Sequence, residues 1–432
     1  MSRHACAMLM IFAAVLLLAG ATASFASENT IAPGTVITAR NWQKYQSFMS
    51  NGMRSLFAGN SVWKFPAGFQ IVIGPPSNYP PPPAYLNNTR KYSGQVRLKQ
   101  LPGGAHELAG YVAGLPFPDP GNPDKGYKIL ADNWYRYVPY LYCGNQDHVY
   151  MKNSSNQTSG FRVTQVFRRL SHVSNPNQPI NNPQAQGVDL SEFVMFLEPE
   201  QIRYTEILTL FYSDPERPEG DFLFIPKLRR VLRQSANSRC VAIQGTDFTS
   251  DDLTGFNGGI ARFQADYLRD QPVLTIVNSQ PTAFGNLANY YPDFFPSPRI
   301  GKFEARDTYV IDTRRIPSER QGYCYGKQIM YVDKYTFGVL WKDLYDDNMK
   351  LIKVMMANKI AGPVPHEGMQ FFNGNAIETM WDLNQGHVST FLTAAPGGGA
   401  LSANQDCRNV DGVNYDDIGR YCTVGGLTQV MR

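Results

Sequence analysis

The chain contains little cysteine and histidine, with 6 of each among its 432 residues. No Cys-x-x-Cys pair occurs, and the histidines are scattered along the sequence. Metal sites are built from such ligands at short, regular spacing. We therefore expect no bound metal and no cofactor.

Motifs of hydrolytic enzymes are also missing. The sequence has no Gly-x-Ser-x-Gly, the motif that presents the nucleophile of an α/β-hydrolase. His106-Glu107 begins like the helix of a zinc protease, but Gly110 occupies the position of the second histidine. Paired carboxylates for glycoside cleavage meet only in three dimensions, so a hydrolase stays open as an alternative. The sequence favours a protein that is not an enzyme.

Neither sign of charge is in strong excess. The 40 Lys and Arg residues face 36 Asp and Glu residues, a formal net charge of +4. The sequence pI of about 8.6 lies below the range typical of dedicated nucleic-acid-binding domains. We therefore exclude nucleic acid as a partner.

A long apolar run occurs only near the N-terminus. Met8–Leu18 follows Arg3 and precedes a series of small residues, which is the order found in a secretory signal peptide. No later stretch reaches the roughly 20 apolar residues of a transmembrane helix. We predict a signal peptide over residues 1–26, with Ala23 as the alternative cleavage point. Because Cys6 lies before the apolar run, we expect a soluble periplasmic protein without a lipid anchor.

Five cysteines follow this segment: Cys143, Cys240, Cys324, Cys407 and Cys422. In an oxidising compartment, an odd number leaves one thiol without an intramolecular partner. Cys407 and Cys422 flank a loop rich in Gly, Asn and Asp, and we predict a disulfide between them. The pairing of the other three stays open.

From residue 93 onward the sequence shows short, alternating, aromatic-rich segments between turn residues, a pattern typical of β-strands. Both faces of Tyr204–Tyr212 are largely apolar, so this strand must be covered on both sides. Lys327–Met355 predicts a meander of antiparallel strands. Further strands are predicted at Gly94–Leu98, Phe161–Phe167, Asp221–Ile225, Val273–Val277, Thr308–Thr313 and His387–Leu392.

Helices are few in this prediction: Asn41–Phe57, a stretch around Asp132–Val138, and Gly259–Asp270. The fold class is therefore mainly β (α+β), with one large curved antiparallel sheet and a few helices that cover its concave face. We predict a single domain over residues 27–432. Its first part, 27–92, holds a helix and a Pro-rich segment, and 93–432 holds the main sheet, helices and a C-terminal loop.

Several segments resemble one known family. Gly220–Val231 (GDFLFIPKLRRV) resembles a motif of the LolA-like, or outer-membrane lipoprotein-sorting-like, family of Gram-negative periplasmic proteins, which includes domains of unknown function. Gly34–Tyr45, Gly245–Gly258 and Met330–Asp346 fit the same family in order and spacing. The resemblance implies a LolA/LolB-like half-barrel that binds a lipid or another hydrophobic molecule. It also implies, as partners, an efflux-type transporter of the inner membrane and an outer-membrane protein.

A carrier is physically reasonable for this composition. An acyl chain of about 16 carbons is penalised by roughly 12 kcal/mol in water, so it needs a covered pocket to cross the periplasm. The 25 Phe, 24 Tyr and 14 Met residues could line such a pocket, or could simply fill the core. The predicted ligand-binding residues are Tyr204, Leu208, Tyr212, Phe222 and Phe224.

A basic cluster, Arg229, Arg230 and Arg233, lies close in sequence to the acidic residues Asp247, Asp251 and Asp252. In one interpretation, the arginines bind a lipid headgroup or an acidic partner surface through bidentate pairing. In the other, they form a salt-bridge network with the three aspartates, which then have a structural role.

Two further expectations concern function. An envelope assembly factor that binds a protein through a sheet edge is the main alternative to a carrier. For a carrier, the Gly-rich segments Gly255–Gly259 and Pro396–Ala400 are candidate lids that open for ligand exchange.

Overall fold

The strands and helices come from a computed structural model that describes residues 30–279, 291–371, 377–392 and 401–429. The predicted signal peptide and the candidate lid Pro396–Ala400 lie outside these residues. Contacts group the described residues from Ile31 onward into one compact unit.

The described residues form twenty β-strands. They are β1 (Val36–Thr38), β2 (Gln70–Val72), β3 (Arg97–Gln100), β4 (His106–Ala109), β5 (Leu141–Lys152), β6 (Thr158–Arg169), β7 (Val188–Glu198), β8 (Glu206–Tyr212), β9 (Gly220–Ile225), β10 (Arg230–Arg233), β11 (Phe263–Thr275), β12 (Glu304–Arg315), β13 (Lys327–Asp333), β14 (Val339–Tyr345), β15 (Leu351–Asn358), β16 (Ala361–Val364), β17 (Gly368–Phe371), β18 (Ile377–Asp382), β19 (Val388–Leu392) and β20 (Ser402–Ala403).

Helices are short and fewer. The α-helices of the described residues are α1 (Asn51–Ala58), α2 (Pro83–Tyr92), α3 (Lys125–Tyr135) and α4 (Ile418–Tyr421). The 3-10 helices are Trp42–Phe48, Ser93–Gln95, Glu200–Ile202, Pro226–Leu228, Ala236–Cys240, Ile243–Gly245, Ser250–Gly255, Pro292–Phe294, Pro317–Glu319, Asn404–Arg408 and Gly426–Thr428.

A single 14-stranded sheet dominates the molecule, with the order β10-β9-β8-β7-β6-β5-β19-β18-β15-β14-β13-β12-β11 and with β20 paired to β5. Neighbouring strands are antiparallel, including the meander β13-β14-β15. The sheet is open, because β10 and β11 form its two edges. The predicted mainly β fold with one large antiparallel sheet is confirmed.

The sheet is strongly curved. Phe211 of β8 and Ile311 of β12 belong to one buried apolar cluster, although β8 and β12 are nine strand spacings apart in the sheet order. A flat sheet would separate them by about 43 Å at about 4.8 Å per spacing. The face that carries these two residues is therefore concave, and the open, curved sheet has the geometry of a half-barrel.

Both faces of the sheet are covered, but the helices are distributed differently from the prediction. Helix α3 packs on the concave face, in the cluster that contains Phe211 and Ile311. Helix α1 packs on the opposite, convex face, where Met53 and Leu56 join Trp341 and Trp381 in the largest core cluster. The strands therefore have two buried faces, which explains the two apolar faces of the segment that forms β8.

The predicted helix Asn41–Phe57 is broken in two. Met49 has extended backbone dihedrals, and Ser50 caps α1 by accepting a hydrogen bond from the Met53 N–H at 2.9 Å. Gly52 is required by packing, because a Cβ at this position would overlap Val354 of β15. Although glycine disfavours a helix, Gly52 thus allows α1 to approach the sheet.

The predicted helix Gly259–Asp270 is wrong. Its second half is the start of β11, an edge strand that pairs with β12 from Phe263↔Arg315 onward. Phe263 is fully buried, whereas much of the following stretch is exposed at the sheet edge. A short segment with this mixture of apolar and polar residues fits both the helical and the strand period. Pairing with β12 makes it a strand.

The predicted disulfide between Cys407 and Cys422 is also wrong. Cys407 pairs with Cys143, with their Cα atoms 6.0 Å apart, and Cys240 pairs with Cys324. The cause is the strand β20, which pairs with β5 so that Ser402 lies opposite Cys143 and brings Cys407 close to it. Cys422 is a buried free thiol.

Candidate functional site

A segment without regular strands crosses the concave face of the sheet. This plug segment, Arg239–Arg262, contains Gly245–Gly258, one of the segments that resemble the LolA-like family. Its polar groups bond to strands far apart in the sheet order. Asn257 donates to Glu192 of β7 at 2.7 Å, and the Thr254 N–H donates to Glu378 of β18 at 3.2 Å. The plug segment therefore fills much of the space that the curved sheet encloses.

Asp252 anchors the plug segment to β14. Its carboxylate accepts from Lys342 Nζ at 2.6 Å and from the Tyr325 hydroxyl at 2.7 Å, and both charged side chains are fully buried. It also completes the capping box of the 3-10 helix Ser250–Gly255, in which it lies, by accepting from the Thr249 N–H at 2.9 Å. Burial alone would raise the pKa of Asp252, but Lys342 lowers it below its usual value. Asp252 is thus charged and fully paired.

Asp251 forms a second anchor. It accepts from Arg239 Nε at 2.6 Å, from Arg315 of β12 at 3.2 Å and from the Tyr323 hydroxyl at 2.8 Å. Arg239 also reaches Asp221 of β9 at 3.1 Å. Burial alone would lower the pKa of Arg239, but these carboxylates raise it. This network joins the plug segment to strands at opposite ends of the sheet.

Asp247 makes a third contact, with β19. Its carboxylate accepts from the Ser389 hydroxyl at 2.7 Å, and its own N–H donates to the Ser389 oxygen at 2.8 Å. Lys353 donates to the Asp247 carbonyl oxygen at 2.7 Å. Burial raises the pKa of the Asp247 carboxyl.

The predicted salt bridges between Arg229, Arg230 and Arg233 and these aspartates are not formed. The chain reverses in the 3-10 helix Pro226–Leu228, with Arg229 in the left-handed region at φ 50°. The strand β10 then runs antiparallel to β9 as the sheet edge, and all three arginines are exposed. Within the described part of the chain, no salt bridge involves them.

The predicted ligand-binding residues lie on the convex face or at the sheet margin. Leu208 and Phe224 are buried, and Tyr212 and Phe222 pack against the same cluster, which also contains Tyr421 of the C-terminal segment. Tyr204 precedes β8 and is half-buried beneath the Arg203 guanidinium, 4.9 Å from the ring centroid. The concave face of β8 instead carries the alternate residues Ile207, Thr209 and Phe211.

A mainly apolar cavity lies between β5–β8 and the plug segment. This inner cavity has a volume of about 70 Å³. Its walls are Tyr142, Asp147, Phe161, Val163, Gln165, Phe167, Glu192, Val194, Phe196, Ile207, Thr209, Ile243, Ser250, Leu253, Thr254, Asn257, Glu378, Phe391 and Leu392. Once the concave face of the sheet is known, the alternation of side chains along β8 places Ile207 and Thr209 in the cavity wall. The sequence alone does not show which face is concave.

Three buried carboxyl groups line this mostly apolar cavity. Burial raises the pKa of Glu192 to about 7, although Asn257 lowers it by its hydrogen bond. Burial raises the pKa of Asp147 to about 8. The third, Glu378, is 5% exposed. The polar character of the inner cavity is therefore acidic.

Two larger cavities open nearby. An outer groove of about 210 Å³ is mainly apolar and lies between α2 and β17, with Tyr85 and Phe371 in its walls. A side pocket of about 330 Å³ near Tyr111 and Trp134 is half polar. Arg136 lines both the outer groove and a small cavity beside the inner cavity. The side chain of Arg136 therefore lies between the outer groove and the inner cavity.

Among the residues described, no group of three or more His, Cys, Asp or Glu side chains could hold a metal ion. A search of the same residues finds no helix long and apolar enough to cross a membrane.

Comparison with solved structures finds weak similarity to several proteins, among them the following three. An outer membrane lipoprotein-sorting protein domain from Vibrio parahaemolyticus is 15% identical, covers 67% of this chain and 97% of its own, and has a TM-score of 0.45. A DUF1329 family protein from Desulfovibrio piger is 12% identical with the same coverage and TM-score. A LolA superfamily protein from Nitrosomonas europaea is 13% identical, covers 63% and 90%, and has a TM-score of 0.37.

A search among curated proteins finds no match. The sequence profile of DUF1329, described as a protein of unknown function, matches residues 36–414. This match confirms the predicted resemblance to a family of unknown function, and the chain belongs to the DUF1329 family.

Proposed function

We propose that this protein is a periplasmic carrier that binds a hydrophobic or lipid ligand on the concave face of its sheet. The observation that carries the proposal is the apolar inner cavity between β5–β8 and the plug segment. Few cavities larger than a water molecule survive in a packed protein interior, so an apolar one is a binding-site candidate.

The size of the inner cavity requires the plug segment to move. An apolar cavity of about 150 Å³ is known to hold benzene, so about 70 Å³ is too small for a long acyl chain. The outer groove, about 210 Å³, supplies further apolar surface on the other side of Arg136. In the proposed mechanism, a long ligand occupies both spaces after the plug segment shifts at Gly255 and Gly259, which have φ values of 89° and 65°.

The proposal also includes delivery of the bound ligand to the outer membrane. An efflux-type transporter of the inner membrane would load the ligand, and an outer-membrane protein would receive it. The exposed basic hairpin β9-β10 supports a docking role, because Arg229, Arg230 and Arg233 are free to pair with an acidic surface or a lipid headgroup.

A second candidate function is an envelope assembly factor that binds a protein partner. The observation that favours it is the edge strand β10, where Leu232 is 42% exposed and Leu228, in the preceding turn, is 56% exposed. An exposed edge strand with apolar side chains can accept an additional strand from a partner.

Two neighbouring residues of β7 test the carrier proposal. Val194 lines the inner cavity, whereas Met195 packs on the convex face, and both are half-buried. Uptake of a fluorescent fatty-acyl probe is measured for Val194→Trp and for the matched control Met195→Trp. The proposal predicts that only Val194→Trp loses uptake. Equal uptake by both variants and the unmodified protein would contradict ligand binding in the inner cavity.

A further inference from the structure

A β-bulge turns Asp147 of β5 toward the inner cavity. The register between β5 and β6 shifts between Gly144 and Asp147, and Gln146 has a left-handed φ of 63°. Bulges of this kind redirect a side chain and are common next to functional sites. After the bulge, Asp147 lies opposite Val163, which also lines the cavity.

The carboxyl group of Asp147 is only partly satisfied. Asp147 is 3% exposed, and its Oδ2 accepts a hydrogen bond from Gln165 of β6. Its Oδ1 has no hydrogen-bond partner among the described residues. A buried polar atom in this state destabilises the fold, because it has lost its hydrogen bonds to water and gained none in the protein. Gly144 is needed for this arrangement, because a Cβ there would overlap the carboxyl oxygens.

The surroundings favour an uncharged Asp147. Burial raises its pKa to about 8, and only the hydrogen bond from Gln165 acts in the opposite direction. At neutral pH, the carboxyl group is therefore protonated and can both donate and accept a hydrogen bond. An uncharged carboxyl in an apolar wall matches an uncharged polar group on a ligand.

The described wall of the inner cavity includes no Lys, Arg or His side chain that could pair with an anionic ligand group. Its carboxyl groups are those of Asp147, Glu192 and Glu378. Two basic side chains, Arg136 and Arg169, line an adjacent cavity of about 30 Å³. There, Arg169 donates to Asp189 at 2.7 Å, and Arg136 donates to the Thr254 carbonyl oxygen at 3.3 Å. A carboxylate in the inner cavity would therefore lack a cationic partner in the described cavity wall.

We infer that Asp147 and Gln165 form a polar anchor for the hydroxyl group of an otherwise apolar, uncharged ligand. The inference rests on the proposed function and narrows its ligand class. The bound molecule is an alcohol-type amphiphile, with its apolar part against Phe161, Phe196 and Phe391 and its hydroxyl group on Asp147. A fatty-acid carboxylate is a disfavoured ligand of this site.

The test compares 1-octanol and octanoate, two probes with the same apolar tail. Their dissociation constants are measured by ligand-observed NMR titration at pH 7. The inference predicts that the unmodified protein binds 1-octanol about fivefold more tightly than octanoate. Asp147→Leu weakens octanol binding about fivefold, whereas Asp147→Asn, which retains hydrogen-bonding groups, keeps most of the preference.

Asp343→Asn is the matched control, because Asp343 is another buried carboxyl group with a pKa raised by burial, to about 7. It contacts Gly52 of α1 at 3.0 Å on the convex face, so this variant should leave the octanol preference unchanged. Equal binding of octanol and octanoate, or an unchanged preference in Asp147→Leu, overturns the inference and leaves the carrier proposal standing. Absence of binding by both probes and by the fatty-acyl probe contradicts the inference and the carrier proposal.

Discussion

Lys342 of β14 and Asp252 of the plug segment form an ion pair of 2.6 Å in which both side chains are fully buried. Such a pair is costly to desolvate, and loss of one partner leaves an uncompensated charge. The pair therefore holds the plug segment against the sheet, and its loss should have a large effect on stability.

We predict that Lys342→Met lowers the free energy of unfolding by about 3–5 kcal/mol. The double variant Lys342→Met/Asp252→Asn should recover most of this loss, because no buried charge then lacks a partner. Lys334→Met is the control, since its pair with Asp270 is 2.8 Å long but partly exposed. It should cost less than about 1 kcal/mol. Urea denaturation measures all three variants, and equal losses for Lys342→Met and Lys334→Met would contradict the anchoring role.

The disulfide pairing can be determined directly by experiment. Non-reducing peptide mapping should find Cys143 linked to Cys407 and Cys240 linked to Cys324, with Cys422 as a free thiol that reacts only after unfolding. A peptide that links Cys407 to Cys422 would contradict the pairing of β20 with β5.

Removal of the second bridge, by Cys240→Ser together with Cys324→Ser, should lower the free energy of unfolding by about 2–5 kcal/mol. This bridge fixes the start of the plug segment to the loop before β13. The double variant should also show faster hydrogen exchange in the plug segment. Unchanged exchange there would mean that the hydrogen bonds of the segment hold it without the bridge.

Stability should fall as the pH rises through the neutral range. The pKa of Asp147 is about 8 in the folded protein, against about 3.9 in an unfolded chain. Between these values only the folded state keeps the proton, so the free energy of unfolding decreases by up to about 1.4 kcal/mol per pH unit for this group. It levels off above about pH 8. Burial also raises the pKa of Glu192 to about 7 and of Glu206 to about 8. These two groups therefore also lower the free energy of unfolding as the pH rises.

Asp147→Asn removes one of these contributions. We expect its free energy of unfolding to depend on pH less steeply than that of the unmodified protein, with the difference greatest between about pH 5 and pH 7.5. Urea midpoints at several pH values measure this slope. Parallel curves for the two proteins would show that Asp147 is charged in the folded state.

The basic hairpin should act in docking and not in stability. The triple variant Arg229→Ala, Arg230→Ala and Arg233→Ala removes three exposed charges without a salt bridge in the described structure. We predict a change in the free energy of unfolding below about 0.5 kcal/mol, and reduced binding to vesicles that contain anionic lipid. A large loss of stability with unchanged vesicle binding would assign these arginines a structural role.

The sequence predicted the class of fold because strand alternation and turn residues are local signals. It could not predict which face of β8 lines a cavity. Leu208 and Tyr212 look as suitable as Ile207, and only the curvature of the sheet separates the concave from the convex face. The predicted residues Leu208 and Tyr212 therefore lie on the convex face of β8, opposite the cavity.

The sequence also could not predict which distant segments pair through disulfides and salt bridges. Proximity in sequence suggested Cys407 with Cys422 and Arg229 with Asp251, whereas the fold joins Cys407 to Cys143 and Asp251 to Arg315. The sequence does not single out Asp147, because Gly144-Asn145-Gln146-Asp147 has the composition of an ordinary turn. Its position becomes notable only when β6 and the plug segment surround it.

The most direct test of the carrier proposal is native mass spectrometry of the protein purified from the periplasm without detergent, followed by organic extraction of any bound molecule. A carrier of the proposed kind should carry a defined adduct that is released as an apolar, uncharged molecule with a hydroxyl group. Protein that is free of any adduct, takes up no fluorescent lipid and co-purifies with a protein partner would contradict the carrier proposal and favour an envelope assembly factor.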